Sequence, residues 1–368
     1  MSSSTTIILI IAKLRKQTRF PSTRIKSNLD MSREILSRRE TPSMETTDAR
    51  NSKRNTRAQR RWRILARALT GSPEPTGSES DEEVSVRRFT SFGLLKCTLL
   101  ENVPADGESS WCEYSAQLED GQSYDVQIRR ISKCFTASEL IGFNNTGNVC
   151  VWPSEECLAY YLLRNRGLCR NRSVLELGGG MSCLAGVLIA KYCNPSAVTL
   201  TDGNVTSVDN VRCIVTRNDM TDLVECGVVQ WARAARTLRQ AAANGNRVKT
   251  WTADGDEDAL LPSGLYDVIL SADCLFFDDA RLDLVETIYG WLADDGVALV
   301  MAPRRGTTFQ IFAEASIKRG FIARQTERYD DTVWSRHLEL LENSPEYCPD
   351  LHYPVLLELT KQKKTPPG

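Results

Sequence analysis

Three consecutive glycines, Gly178 to Gly180, separate a short apolar run, Val174-Leu-Glu-Leu177, from a longer one, Leu184 to Ala190. A short apolar stretch, a glycine break and a second apolar run of helical length read as a strand, a tight turn and a helix. Glycine at Gly178 and Gly180 lets backbone approach a ligand closely, because no Cβ intervenes and positive φ carries no steric penalty. A flat or charged ligand is expected across this turn.

Two ligand classes use such a turn. A dinucleotide asks for G-x-G-x-x-G, with its pyrophosphate at the helix N-terminus. Here the third glycine is replaced by Cys183, and Glu176 precedes Gly178 by two residues. A carboxylate at that place repels a pyrophosphate and favours a cationic ligand. S-adenosylmethionine carries an ammonium and a sulfonium, and Glu-x-Gly-x-Gly is similar to the first motif of the seven-strand methyltransferases. A plain glycine-rich βα turn is the alternative.

Beyond the turn, strands and helices alternate. Ala197 to Thr201 reads as the second strand, ending in Asp202-Gly203-Asn204, and Val205, Val208, Val211 and Val215 follow at helical spacing. An acid at the end of the second strand is placed to bind ribose hydroxyls, and Asp202 lies 26 residues beyond Glu176. Arg247 to Trp251 is read as the third strand, with Trp231 to Ala243 as an extra surface helix before it. Leu265 to Ser271 and Val297 to Ala302 supply the fourth and fifth strands. Helices are expected over Asp279 to Leu292 and Thr307 to Arg319, and Phe321 to Glu327 and Tyr353 to Thr360 close the sheet. Such repeated βα units predict an α/β fold, an open Rossmann-like sheet of seven mostly parallel strands with helices on both faces.

In open α/β sheets ligands bind beyond the carboxyl ends of the strands. The fourth strand ends in Ser271-Ala-Asp273-Cys-Leu-Phe276-Phe277, which brings a carboxylate and an aromatic pair to the crevice of the glycine turn. Methyl transfer to an amine needs positioning and desolvation. A lysine has a reference pKa of roughly 10.4, so only about one in a few thousand is neutral at pH 7. A carboxylate by itself favours the charged amine, so Asp273 is read as orienting a substrate amine first and accepting its proton second. Phe276 either walls the alkyl chain of that amine or packs in the core.

Upstream, Trp152-Pro153 opens a helix with Ser154 as its cap, Glu155 and Glu156 in its first turn, and Leu158, Tyr161 and Leu162 on its inner face. Trp152 is either a core residue or a wall of the ligand pocket. Ser85 to Leu100, Trp111 to Leu118 and Tyr124 to Ile131 alternate apolar and polar residues, a small antiparallel region ahead of the main sheet. Gly71 to Glu83 reads as a linker, and Arg57 to Leu69 as an amphipathic helix with Trp62, Leu65 and Leu69 on one face. Residues 1 to 29 hold six Lys or Arg and no acid. That composition suits a transit peptide, a disordered basic tail, or sequence upstream of a start at Met31 or Met44. The expected divisions are a disordered basic leader over 1–56, the helix and linker over 57–83, the β region over 84–142 and the catalytic domain over 143–361.

Charge is divided unevenly. Residues 1 to 70 carry 17 bases and five acids, leaving 29 bases and 42 acids, a net of -13, on the rest. An acidic body is a poor match for nucleic acid, whose phosphates need a basic face. The twelve cysteines include no C-x-x-C pair and there are two histidines, so no metal site is expected. Isolated cysteines among apolar residues point to a reducing compartment, cytoplasmic and nuclear, or to a mitochondrion or plastid if residues 1 to 29 are a transit peptide. The run Ile7 to Ala12 is far shorter than the roughly 20 residues of a membrane span. A monomer without a membrane contact is expected.

Several separated blocks resemble the seven-strand protein-lysine methyltransferases, the group that modifies single lysines in folded proteins. The resemblance runs from about Val86 to Thr360. Its blocks are Val86-Arg-Arg-Phe-Thr-Ser-Phe92, Asn145-Thr-Gly-Asn-Val-Cys-Val-Trp-Pro-Ser-Glu-Glu156, Glu176-Leu-Gly-Gly-Gly-Met-Ser-Cys-Leu-Ala-Gly186, Thr201-Asp-Gly-Asn204, Ser271-Ala-Asp-Cys-Leu-Phe276, Ala302-Pro-Arg-Arg-Gly306 and His352-Tyr-Pro354. Arg61-Trp-Arg-Ile-Leu65 adds to them. Within that group the blocks are most similar to the branch whose substrate is calmodulin. The resemblance implies trimethylation of one calmodulin lysine with S-adenosylmethionine as donor. It also implies that Glu176, Gly178 and Gly180 hold the amino acid end of the cofactor, Asp202 the ribose with Asn204 beside it, and that Trp251 lies near the adenine. Trp152 would close the pocket, Ala272 would border it, and Asp273 with Phe276 would face the substrate. A lysine of another protein, such as an elongation factor or chaperone, or a non-catalytic scaffold, is the alternative. Calmodulin is acidic, as the family implies, so an acidic body must meet it through local basic patches; Arg304-Arg305 and the arginines around Trp62 are the candidates.

Overall fold

A computed structural model of the chain describes residues 91–101, 109–131, 150–243, 265–275 and 280–362. The basic leader, the expected helix over Arg57 to Leu69, Trp251 and Phe276 lie outside these residues. Everything described falls within one compact unit, Glu82–Cys134 with Gly142–Gly368.

Helix α1 (Pro153–Arg164) leads into strand β4 (Ser173–Leu177), and helix α2 (Leu184–Tyr192) follows the glycine turn. Then come β5 (Ala197–Asp202), α3 (Val205–Arg217), β6 (Val224–Val228), α4 (Trp231–Ala243) and β7 (Tyr266–Ala272). The chain continues through α5 (Arg281–Trp291), β8 (Leu292–Pro303), α6 (Thr308–Arg319), β9 (Phe321–Thr326), α7 (Asp331–Asn343), α8 (Pro349–His352) and β10 (Pro354–Lys361). The strands form one seven-stranded sheet in the order β6-β5-β4-β7-β8-β10-β9. β4 through β8 run parallel, and β10 is inserted antiparallel between β8 and β9.

The order explains the burial. β4 and β7 occupy the middle, where both faces are covered, and their residues are buried in near-continuous runs. The chain reverses its direction of strand addition between β4 and β7. Ligands bind at such a point because the crossing helices diverge there and leave a crevice above the strand ends.

One expected strand is corrected. The third strand of the parallel run is Val224–Val228, paired with β5 from Val198↔Val224 to Asp202↔Val228. Arg247 to Trp251, where that strand was expected, lies outside the described residues. With Val224–Val228 as the third strand, Trp231–Ala243 is the crossover helix between β6 and β7 rather than an insertion ahead of the third strand. β6 is an edge strand in which only Val224 and Gly227 are buried, so its sequence, Val-Glu-Cys-Gly-Val, carries little of the apolar signal of a central strand.

A three-stranded antiparallel sheet, β1 (Lys96–Leu99), β2 (Ser109–Gln117) and β3 (Ser123–Ile131), belongs to the same unit. Alternate residues Cys112, Tyr114 and Ala116 of β2 and Tyr124, Val126 and Ile128 of β3 are buried. The sheet is fastened to α2 and α3 by polar contacts. Lys191 Nζ reaches the Asp125 carboxylate at 3.0 Å, and Asn218 donates to Gln127 O at 2.8 Å while accepting from Gln127 N at 3.0 Å. Among the described residues no helix is long and apolar enough to cross a membrane, and no three His, Cys, Asp or Glu side chains are grouped to hold a metal ion.

Candidate functional site

The carboxyl ends of β4, β5 and β7 meet at the glycine turn. Gly178 and Gly180 have φ of 69° and 62°, the left-handed region where a side chain is strained. A Cβ on Gly178 would come within 2.7 Å of Cys274 Sγ and 2.8 Å of Trp231 Cζ2. The turn is therefore walled by the residue after Asp273 on one side and by the first residue of α4 on the other. Trp231 is 3% exposed, so the tryptophan that follows the true third strand packs against the turn.

The turn is held from several elements. Gly179 N donates to Thr201 O at 3.1 Å, and Gly180 N donates to Asp202 Oδ2 at 3.0 Å. Asn210, buried on α3, donates to Met181 O at 2.7 Å and to Arg129 O of β3 at 2.9 Å, which links the turn to the small sheet. Cys183, itself left-handed at φ 42°, starts α2 without a side-chain cap of its own. The cap comes from α1: Glu155 Oε1 accepts from Leu184 N at 2.7 Å and from Ser182 Oγ at 2.6 Å.

Glu155 and Glu156 thus do more than complement the dipole of α1. Glu156 Oε1 and Oε2 together accept the amides of Phe92, Leu94 and Leu95 at 2.7, 2.7 and 3.2 Å, and Oε1 also accepts the Ser91 hydroxyl at 3.0 Å, tying the 91–95 segment to the helix.

Glu176 faces inward. It is 1% exposed, and its Oε2 accepts from Gly186 N of α2 at 3.0 Å. Burial pushes its carboxyl up to about 8, helped by the neighbouring charge of Glu155 and opposed by the Gly186 amide. Burial likewise raises Glu155 to about 7, against the hydrogen bonds from Ser182, Leu184 and the Trp152 backbone. Asp202 as a residue is partly exposed, but its carboxylate is enclosed by the amides of Gly180 and Asn204. Burial raises it to about 6, with those amides pulling the other way. Asn204 caps α3, its side chain accepting from Ser207 N at 3.2 Å. Trp152 is the partly buried N-cap of α1.

Ala272 ends β7, and Asp273 follows it, 6% exposed, with φ 55°. Cys274 Sγ lies 3.5 Å from Gly178 O, so the Asp273 segment is seated directly on the glycine turn. The Asp273 carboxylate is engaged by Arg305, from the loop after β8, at 2.6 Å and 2.8 Å. The expectation that Arg304 and Arg305 form an open docking patch is corrected accordingly: Arg305 has a side chain 16% exposed and turns inward, while Arg304, 40% exposed, lies 3.4 Å from Glu327.

The structure therefore brings together Glu176, Gly178, Gly180, Asp202, Asn204, Ala272 and Asp273, with Trp152 heading the helix that supplies Glu155. Glu155, Asn210 and Trp231 join them unannounced by spacing. Three carboxyl groups whose ionised forms are disfavoured by burial stand around one turn, and a ligand bearing ammonium and sulfonium charges would favour those ionised forms where a pyrophosphate would not. S-adenosylmethionine fits that donor set, and Asp202 and the glycine turn are the residues that would hold it.

Comparisons with known proteins agree. Residues 137–316 match the model of a family described as lysine methyltransferases. A calmodulin-lysine N-methyltransferase of Arabidopsis thaliana is 28% identical over 314 residues, 82% of this chain and 96% of that enzyme. The protein-lysine N-methyltransferase EFM3 of Chaetomium thermophilum is 28% identical over 188 residues, 50% of each chain. The human protein-lysine N-methyltransferase EEF2KMT is 27% identical over 151 residues, 40% of this chain and 41% of that one.

Proposed function

We propose that the segment over residues 137–316, which matches a family described as lysine methyltransferases, is the catalytic domain of a lysine methyltransferase with S-adenosylmethionine as its methyl donor, and that its substrate is a lysine of calmodulin. The observation that carries the choice of substrate is the extent of the likeness to the Arabidopsis enzyme, which covers nearly all of it, while the likeness to the other two enzymes covers half or less.

Bound at the site, S-adenosylmethionine would supply a methyl carbon on a sulfonium, which the lysine nitrogen's lone pair would take as the C–S electron pair stays on sulfur, the methylammonium's extra proton going to water. The protein's part is to hold and desolvate. The glycine turn and Asp202 support the donor, and Asp273, seated on that turn through Cys274, orients the amine. Methyl number follows from how often the amine re-enters the site; trimethylation is the proposed end point.

The test is transfer of tritium from labelled donor to purified calmodulin. We expect incorporation that Asp273→Ala abolishes while donor binding by calorimetry is retained. Incorporation into an elongation factor or a chaperone, and none into calmodulin, would keep the chemistry and replace the substrate.

A further inference from the structure

Asp273 is not a lone carboxylate. Arg305 Nη1 lies 2.6 Å from its Oδ1, and Nη2 donates to its Oδ2 at 2.8 Å, the side chains being 16% and 5% exposed. One charge-assisted hydrogen bond, to Oδ2, and one close ion contact, to an Oδ1 that accepts no hydrogen bond among the described residues, hold the two groups together largely out of water. Both partners hold left-handed backbone, φ 55° at Asp273 and 43° at Arg305, a conformation that disfavours an arginine in particular. The arginine is kept there by α8: Arg305 N donates to Asp350 O at 2.7 Å, and Gly306 N to Asp350 Oδ2 at 2.9 Å. Strain that the surroundings hold in place on both halves of one ion pair marks a functional arrangement.

The pair answers an electrostatic difficulty. An unaccompanied carboxylate stabilises the ammonium form of a lysine, which has no lone pair to give. A carboxylate paired with a guanidinium is a neutral unit, and Oδ1, which accepts no hydrogen bond among the described residues, keeps lone pairs for an amine N–H. The guanidinium, a like charge, also disfavours a second cation at the same place. We propose, resting on the lysine methyltransferase reading above, that Arg305 is a positioning residue that neutralises Asp273, so that the target lysine is received as a neutral amine and its proton is left in water. Charged groups near the pair include Asp350 on α8, Arg304 with Glu327, and Glu176 and Asp202, which act on Cys274 from β4 and β5. They are common to all the variants below, so a change on replacing Arg305 reports Arg305.

Two measurements test it. The first needs no turnover: calorimetric titration with n-butylammonium, the head of a lysine side chain, at pH 7. Arg305→Gln is expected to bind this cation at least tenfold more tightly than the parent protein, because Asp273 is then unpaired; equal or weaker binding overturns the proposal. The second is the pH profile of kcat/KM for calmodulin. Arg305→Gln is expected to move the rising limb upward by about one pH unit, a tenfold loss at neutral pH that alkali restores. Arg305→Lys, which keeps the charge, is expected to leave the limb in place while lowering kcat. A loss in Arg305→Gln that is the same at every pH contradicts the proposal. Should Arg305→Gln fail to fold, a shifted limb in Arg305→Lys does so. A parent protein inactive on calmodulin would instead fault the substrate reading, and the butylammonium titration would still decide the role of Arg305.

Discussion

Glu155 accepts the hydroxyl of Ser182 at 2.6 Å, and with the same oxygen the amide of Leu184 at 2.7 Å. A residue of α1 therefore caps α2 and holds the end of the glycine turn, while Asp202 holds its middle at Gly180. Replacing it by alanine leaves a buried hydroxyl and a helix amide without their acceptor, at a cost of about 1–3 kcal/mol. Glu155→Ala is expected to lose that much in urea denaturation and to bind S-adenosylhomocysteine more weakly in calorimetry. Unchanged binding would mean that the cap is structural only.

Acid should stabilise the ligand-free protein. Burial holds Glu155 and Glu176 at about 7 and about 8, above the ordinary carboxyl value of roughly 4.3. Between those values the folded state keeps protons that the unfolded chain has released. The stability this contributes is complete below the unfolded value and is lost as pH rises through the folded ones. The midpoint of urea unfolding is expected to fall from about pH 5 to about pH 8, and Glu176→Gln to flatten that slope. A midpoint rising over this range would contradict the assignment.

Trp231 stands where a tryptophan near the donor was expected from Trp251. Its ring approaches Gly178 and it is 3% exposed. Trp231→Ala is expected to cost about 3–5 kcal/mol, as for other large buried aromatics. Trp231→Phe should recover most of the stability. Loss of the fluorescence change on adding S-adenosylhomocysteine would identify Trp231 as the reporter beside the turn; a change that persists would point to another tryptophan.

Gly178→Ala combines a φ of 69° with the 2.7 Å approach to Cys274 Sγ. We expect at least a tenfold loss of donor affinity by calorimetry, with the circular dichroism spectrum retained. Parent-like affinity would show that the turn tolerates a side chain and does not touch the donor.

Much of this was readable from residue order. The glycine turn, the helix over Trp231 to Ala243, and the two closing strands stand where apolar period and turn residues put them, because each signal is local. The third strand was not, since Val224–Val228 lies at a sheet edge and buries two of its five residues. The pairings that build the site are not local either. Glu155 meets Leu184 across 29 positions, and Arg305 meets Asp273 across 32. Read in sequence, Glu155 is a first-turn acid and Arg305 half of a basic doublet; only the fold gives each its partner.

Whether a lysine of calmodulin is the proposed substrate is decided by mass spectrometry of calmodulin incubated with the full chain and S-adenosylmethionine. Mass gains in steps of one methylene, up to three, on a single lysine are expected, and none with Asp273→Ala. Calmodulin of unchanged mass, with the donor bound and the protein folded, would contradict it.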